Sequence, residues 1–229
     1  MSAWASHTKK PAKTHTNLHP ILLIGSTLRR GVLLMTKIAI VYHSGFGHTR
    51  VIAECIARGA AETDGVHAVI VAAEDLPSPE DKDMAGKWDE LQAAGCIVFG
   101  CPTYMGSITA EIKRVFEASS SLWVDQRWRD KLAAGFTNAA ATSGDKLNTL
   151  QDIFHFCMQH SMIWVSQGVM FGGPSENDIN RMGSYMGCMA QSADDSPEVT
   201  PPPGDRQTAE LFGKRLAEIT KQFEAGATA

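Results

Sequence analysis

Five short apolar runs, each with little polar interruption, constrain this chain more than any other feature. They are Lys37–His43, His67–Ala72, Cys96–Gly100, Ala133–Asn138 and Met162–Gly168. A strand with one wet face alternates apolar and polar side chains, whereas a continuous apolar run is covered on both faces. Between these runs lie segments of helical period near 49–63, 82–93, 109–120, 146–160 and 205–225. Strand and helix therefore alternate, and the pattern predicts an α/β chain built on a doubly wound parallel sheet.

Five strands favour the flavodoxin-like order 2-1-3-4-5 over a six-stranded dinucleotide fold. Such a sheet binds ligands beyond the carboxyl ends of its strands, near the point where strand order reverses. Here the first run leads into Ser44-Gly45-Phe46-Gly47-His48-Thr49, and the third into Pro102-Thr103-Tyr104-Met105-Gly106. The fourth ends in Thr137-Asn138 and continues through three alanines to Thr142-Ser143-Gly144. Three loops rich in small or hydroxyl residues thus converge on one edge.

The first of these loops opens a helix, whose free N–H groups form a site for a phosphate. It has no Walker lysine and no GxGxxG, so a compact monophosphate is the better guest than a triphosphate or a dinucleotide. A tight βα turn without ligand is the competing reading. The Pro102–Gly106 loop is either a rigid strand end or a wrap around a planar heterocycle, with Gly100 and Gly106 allowing close backbone approach. Trp123 and Trp128 divide between core packing and a ring site or subunit surface.

Other chemistry is set aside on the same grounds. His155 and His160 fall on different faces of a helix, and Cys157 with His160 alone does not make a zinc site, so no metal is expected. No nucleophile elbow, carboxylate pair or HExxH is present, which leaves the chemistry to a cofactor. The five cysteines are odd in number and lack CxxC spacing, as in a reduced, cytoplasmic protein.

Charge is unevenly placed. Residues 1–35 carry five basic residues and no acid, while the remainder holds 16 basic against 25 acidic residues, or −9. An acidic body excludes nucleic acid as a partner, and no apolar run approaches the ~18–20 residues that cross a bilayer. Residues 1–35 have no period and are read as a disordered extension, a mis-assigned start with Met35 as the initiator, or a targeting segment. Residues 36–229 form the folded domain, and the irregular stretch 169–204 is expected to be a cap or a subunit contact.

Tyr42–Thr49, Gly100–Gly106 and Leu122-Trp123 together are similar to motifs of the flavodoxin-like NAD(P)H:quinone oxidoreductases of the WrbA type, over residues 37–225. The resemblance implies FMN at the strand ends. It maps the family's phosphate loop onto Ser44, Phe46, Gly47, His48 and Thr49. It maps the ring loop onto Pro102, Thr103, Tyr104, Met105 and Gly106, and the third loop onto Thr137, Asn138 and Gly144. Trp123 and His160 fall on the substrate side, His160 as a proton donor to the hydroquinone. NADH or NADPH would reduce the flavin and a quinone would take two electrons, within a homo-oligomer (dimer or tetramer) whose flavin sites lie where subunits meet. The alternative is a flavodoxin-type electron carrier that oxidises NAD(P)H poorly. The alanine-rich third loop and Tyr104-Met105, where Arg-Phe is common, mark a sister branch.

Overall fold

The structure is a computed structural model that describes residues 35–77 and 86–227. The expected extension at 1–35 lies, apart from Met35, outside the described residues, as does the start of the helix expected at 82–93. Strands β1 (Thr36–Tyr42), β2 (Val66–Ala72), β3 (Cys96–Pro102) and β4 (Leu132–Ala139) fall where the apolar runs place them. Helices α1 (His48–Ala61), α2 (Lys87–Ala93), α3 (Ala110–Ala118), α4 (Ser120–Val124), α5 (Lys146–Gln159) and α6 (Pro203–Ala227) connect or follow them. With β5 (Ile163–Trp164) the strands pair in parallel in the order β2-β1-β3-β4-β5.

The fifth strand departs from expectation. Instead of one run over Met162–Gly168, β5 is only Ile163–Trp164, paired with Leu132 and Ala133 at the base of β4. The chain then leaves the sheet and returns as β6 (Cys188–Gln191), which pairs with Phe136–Ala139 at the top of β4. Gly135 lies at the break between the two pairings. A Cβ there would sit 2.8 Å from the Trp164 ring, and one on Gly187 would sit 2.3 Å from the Gly135 carbonyl oxygen. The irregular 169–204 stretch therefore contains the upper half of the edge strand.

The strands' alternation sorts the core into two layers. Ala39, Val41, Ile97, Phe99 and Ala133 pack with Trp88 and Leu91 of α2, Val115 of α3 and Ile153 of α5. Ile38, Ile40, Val98, Ala134 and Phe136 pack with Ile52 and Ile56 of α1 and Phe212 and Leu216 of α6. Helices α1 and α6 cross at two glycines: a Cβ on Gly59 would lie 1.9 Å from the Glu210 carbonyl oxygen, and one on Gly213 would lie 2.0 Å from that of Ile56. Gly100 is likewise a packing requirement, since a Cβ there would meet the Phe136 ring at 2.3 Å. Trp128 is buried in the core and stacks with Trp88, while Trp123 is half exposed. All five cysteines are free and buried. Among the described residues no helix is long and apolar enough to cross a membrane.

Candidate functional site

At the end of β1 the chain turns through Ser44–Gly47 into α1. Gly47 caps the helix at φ 90°, a left-handed conformation that glycine adopts without a Cβ penalty. No side chain at the cap position closes the first turn. Ser44 Oγ accepts from the Arg50 N–H at 3.1 Å, and the helical ladder begins with the Val51 N–H donating to the Gly47 carbonyl. The N–H groups of His48 and Thr49 thus stand outside the helix's own ladder, which is the arrangement that attracts an anion.

The second loop is held by a directed chain of hydroxyls. Thr137 Oγ1 donates to the Cys101 carbonyl at 2.8 Å, so it accepts from Thr103 Oγ1 at 2.9 Å. Thr103 in turn accepts from Thr149 Oγ1 at 2.8 Å. The Thr103 N–H donates to the Asn138 carbonyl, and Tyr104 and Ser107 exchange backbone bonds around a turn in which Met105 and Gly106 have φ of 50° and 81°. Asn148 Nδ2 donates to the Gly106 carbonyl at 2.8 Å.

A fourth loop, Ser192–Pro197, completes the site. It follows β6, a strand that the single run expected at Met162–Gly168 does not include. The four residues Cys188-Met189-Ala190-Gln191 have no apolar–polar alternation to mark a strand. They become one only by pairing with β4, after which the loop that follows falls where parallel sheets bind ligands. Ser192 Oγ donates to Asn138 Oδ1 at 3.0 Å, and its N–H donates to the Ala139 carbonyl at 3.1 Å. His48 Nε2 donates to the Asp195 carbonyl at 2.7 Å, which fixes the proton on that nitrogen and ties the loop to α1.

The four loops enclose a cleft of about 850 Å³. Of the residues expected to bind a cofactor, Ser44, Phe46, His48, Thr49, Pro102, Thr103, Tyr104 and Asn138 line it, with Ala139, Ala140 and the fourth loop. Gly47, Met105, Gly106, Thr137 and Gly144 do not. Thr137 is fully buried beneath the loop, and the Met105 side chain is fully exposed. No lysine or arginine is among the lining residues, whereas Asp194 and Asp195 are.

The structure also separates Trp123 and His160 from the cleft. Both border a second hollow of about 800 Å³ between α3, α4 and α5. His160 is 2% exposed and packs on Trp128 and Phe156, with ring centroids 4.6 and 4.9 Å away. Ser119 Oγ donates to the Phe116 carbonyl, so His160 Nε2 is the donor to Ser119 at 2.9 Å, and the buried Nδ1 has no partner among the described residues. Burial pushes its pKa down to about 4. A neutral, enclosed imidazole away from the cleft is a core residue, which corrects the expectation of a proton donor.

Comparison with known proteins agrees with this geometry. A family model described as NADPH-dependent FMN reductase matches residues 36–175. Flavodoxin FldP of Pseudomonas aeruginosa is 37% identical over 194 residues, covering 83% of this chain and all of the relative. An NAD(P)H dehydrogenase (quinone) of Archaeoglobus fulgidus is 29% identical over 204 residues, covering 82% of this chain and all of its own. The crystal structure of a WrbA-like flavodoxin from Agrobacterium tumefaciens superposes with a TM-score of 0.63 at 37% identity, covering 82% of this chain and 99% of that one. With the sheet order, the strand-end cleft and relatives aligned along their whole length in agreement, the chain belongs to the flavodoxin-like family described as NADPH-dependent FMN reductase.

Proposed function

We propose that this chain is an FMN-dependent oxidoreductase that takes a hydride from NADH or NADPH and passes two electrons to a quinone, in a ping-pong cycle. The observation that carries the reading is the cleft itself, built from four strand-end loops and bordered by helix N–H groups outside the α1 ladder. Those residues fit FMN. The His48 and Thr49 N–H groups and the Ser44 and Thr49 hydroxyls would hold its phosphate without a lysine. Pro102–Tyr104 and Asn138–Ala140 offer backbone and an aromatic side chain to a planar ring.

When bound, the flavin supplies the two-electron chemistry that side chains lack. The chain's own contribution is orientation and exclusion of water. The hydroxyl chain Thr149–Thr103–Thr137 fixes the ring loop, the Ser192–Asn138 bond fixes the third and fourth loops together, and Tyr104 and Phe46 stand exposed at the cleft. The homo-oligomer, dimer or tetramer, belongs to the same proposal: exposed Trp123 and Val124 give a neighbour an apolar surface beside the second hollow. Five buried free thiols suit a cytoplasmic setting.

A second reading, an electron carrier, is favoured by the relative named flavodoxin. Steady-state rates with NADPH and benzoquinone separate the two. Parallel double-reciprocal lines are expected of the oxidoreductase. An FMN-loaded protein that dithionite reduces and NADPH does not would favour the carrier.

A further inference from the structure

Turning a quinone into a hydroquinone takes up one proton beyond the hydride that NAD(P)H releases. The cleft must deliver that proton, and His160 lies elsewhere. The titratable groups lining the cleft are His48 and Tyr104 with Asp194 and Asp195 of the fourth loop, and His48 is committed through Nε2 to the Asp195 carbonyl. Tyr104 is placed differently. A Cβ on Gly45 would lie 2.8 Å from the Tyr104 hydroxyl and 3.9 Å from His43 Nε2, so hydroxyl and imidazole flank the same glycine at the mouth of the first loop. Burial raises the Tyr104 pKa, so the phenol holds its proton at neutral pH.

His43 is gripped from both sides. Its Nδ1 is hydrogen-bonded to the Glu74 carboxylate, and its Nε2 lies 3.6 Å from the Glu111 carboxylate. The three groups come from the end of β1, the single 3₁₀ turn after β2 (Ala73–Asp75) and the first turn of α3. The His43 side chain is 12% exposed, while Glu74 and Glu111 are 51% and 43% exposed. The ring is sheltered and its partners reach water. With Nδ1–H held by the Glu74 carboxylate, Nε2 is the nitrogen left to take up a proton and pass it on.

We propose that Glu74, His43 and Glu111, acting through the Tyr104 hydroxyl, form the proton route into the cleft. The proposal rests on the oxidoreductase reading. The Tyr104 O–H bond breaks as its proton passes to a quinone oxygen, where a new O–H bond forms. His43 Nε2 takes up a proton from solvent on its Glu111 side and passes it to the phenolate directly or through one water. Nδ1–H stays bonded to the Glu74 carboxylate and holds the ring in place. Both electrons come from NAD(P)H. Tyr104 faces the acceptor, and His43 and the two carboxylates are positioning residues.

The test compares FMN-loaded wild type, His43→Gln and Glu111→Gln with two acceptors. Benzoquinone needs protons, and ferricyanide takes an electron without one. The benzoquinone-to-ferricyanide rate ratio should fall by about tenfold or more in His43→Gln, less in Glu111→Gln, and lose its dependence on pH. In the flavin-free protein, nitrogen NMR should show the His43 Nδ1 proton slowed in exchange, and Glu74→Gln should release it. A ratio unchanged within twofold in His43→Gln overturns the proton route while leaving the oxidoreductase reading intact. A wild type that binds FMN and reduces ferricyanide but not benzoquinone overturns that reading, and the route with it.

Discussion

Pro197 stands directly against Gly47: a Cβ on the glycine would lie 2.7 Å from the proline Cγ. The contact brings the loop after β6 down onto the first turn of α1, beside the His48–Asp195 bond. One glycine is thus required twice, for its φ of 90° and for the close approach.

Gly47→Ala should therefore weaken both the fold and the ligand site. The left-handed conformation costs about 1–2 kcal/mol for a residue with a Cβ, measurable by urea unfolding. The displaced Pro197 opens the cleft, so FMN affinity, read from flavin fluorescence quenching, should fall. Adding Pro197→Ala relieves the clash but not the backbone strain. Affinity should recover in that double variant while stability stays low.

His160 gives the fold a pH dependence of defined sign. Its native pKa, about 4, lies below the ordinary value of 6.5, so the unfolded chain binds more protons between those values. Its contribution is complete above pH 6.5 and is lost as pH falls toward 4. Between pH 7 and pH 5 the loss is about 2 kcal/mol. His160→Gln should remove that part of the acid sensitivity, so the wild-type advantage over the variant in urea unfolding shrinks across this interval.

The crossing of α1 and α6 depends on backbones in contact. Gly213→Ala drives a methyl into the Ile56 carbonyl, 2.0 Å away, and backbone cannot yield as a side chain does. Overpacking of this kind costs about 1–3 kcal/mol. The loss should appear in thermal and urea unfolding, and exposed Gly226→Ala, with nothing within 4 Å, serves as the control.

What was legible in the sequence follows from what is encoded locally. Ile38–Val41 and Cys96–Phe99 are buried on both faces, so their apolar runs announced central strands. The Ser44–Thr49 loop was readable because its small residues meet a helix start. The fifth strand was not, because β5 and β6 hold two and four residues and are joined into one edge only by pairing with β4. With β6 went the Ser192–Pro197 loop. His160 looked functional by position alone, and what decides it is non-local: Trp128, Phe156 and Ser119 enclose it. The resemblance places Thr137 in the third loop, but a loop motif does not tell where a side chain turns, and the Thr137 hydroxyl is buried and donates to the Cys101 carbonyl.

Whether this cleft holds a flavin through which NAD(P)H reduces a quinone is tested most directly by an anaerobic titration of the FMN-loaded protein with NADPH, followed by benzoquinone. The account predicts complete bleaching of the visible flavin band by one equivalent of NADPH and full recovery with one equivalent of benzoquinone. A band that persists with excess NADPH, in protein that dithionite bleaches, would contradict it.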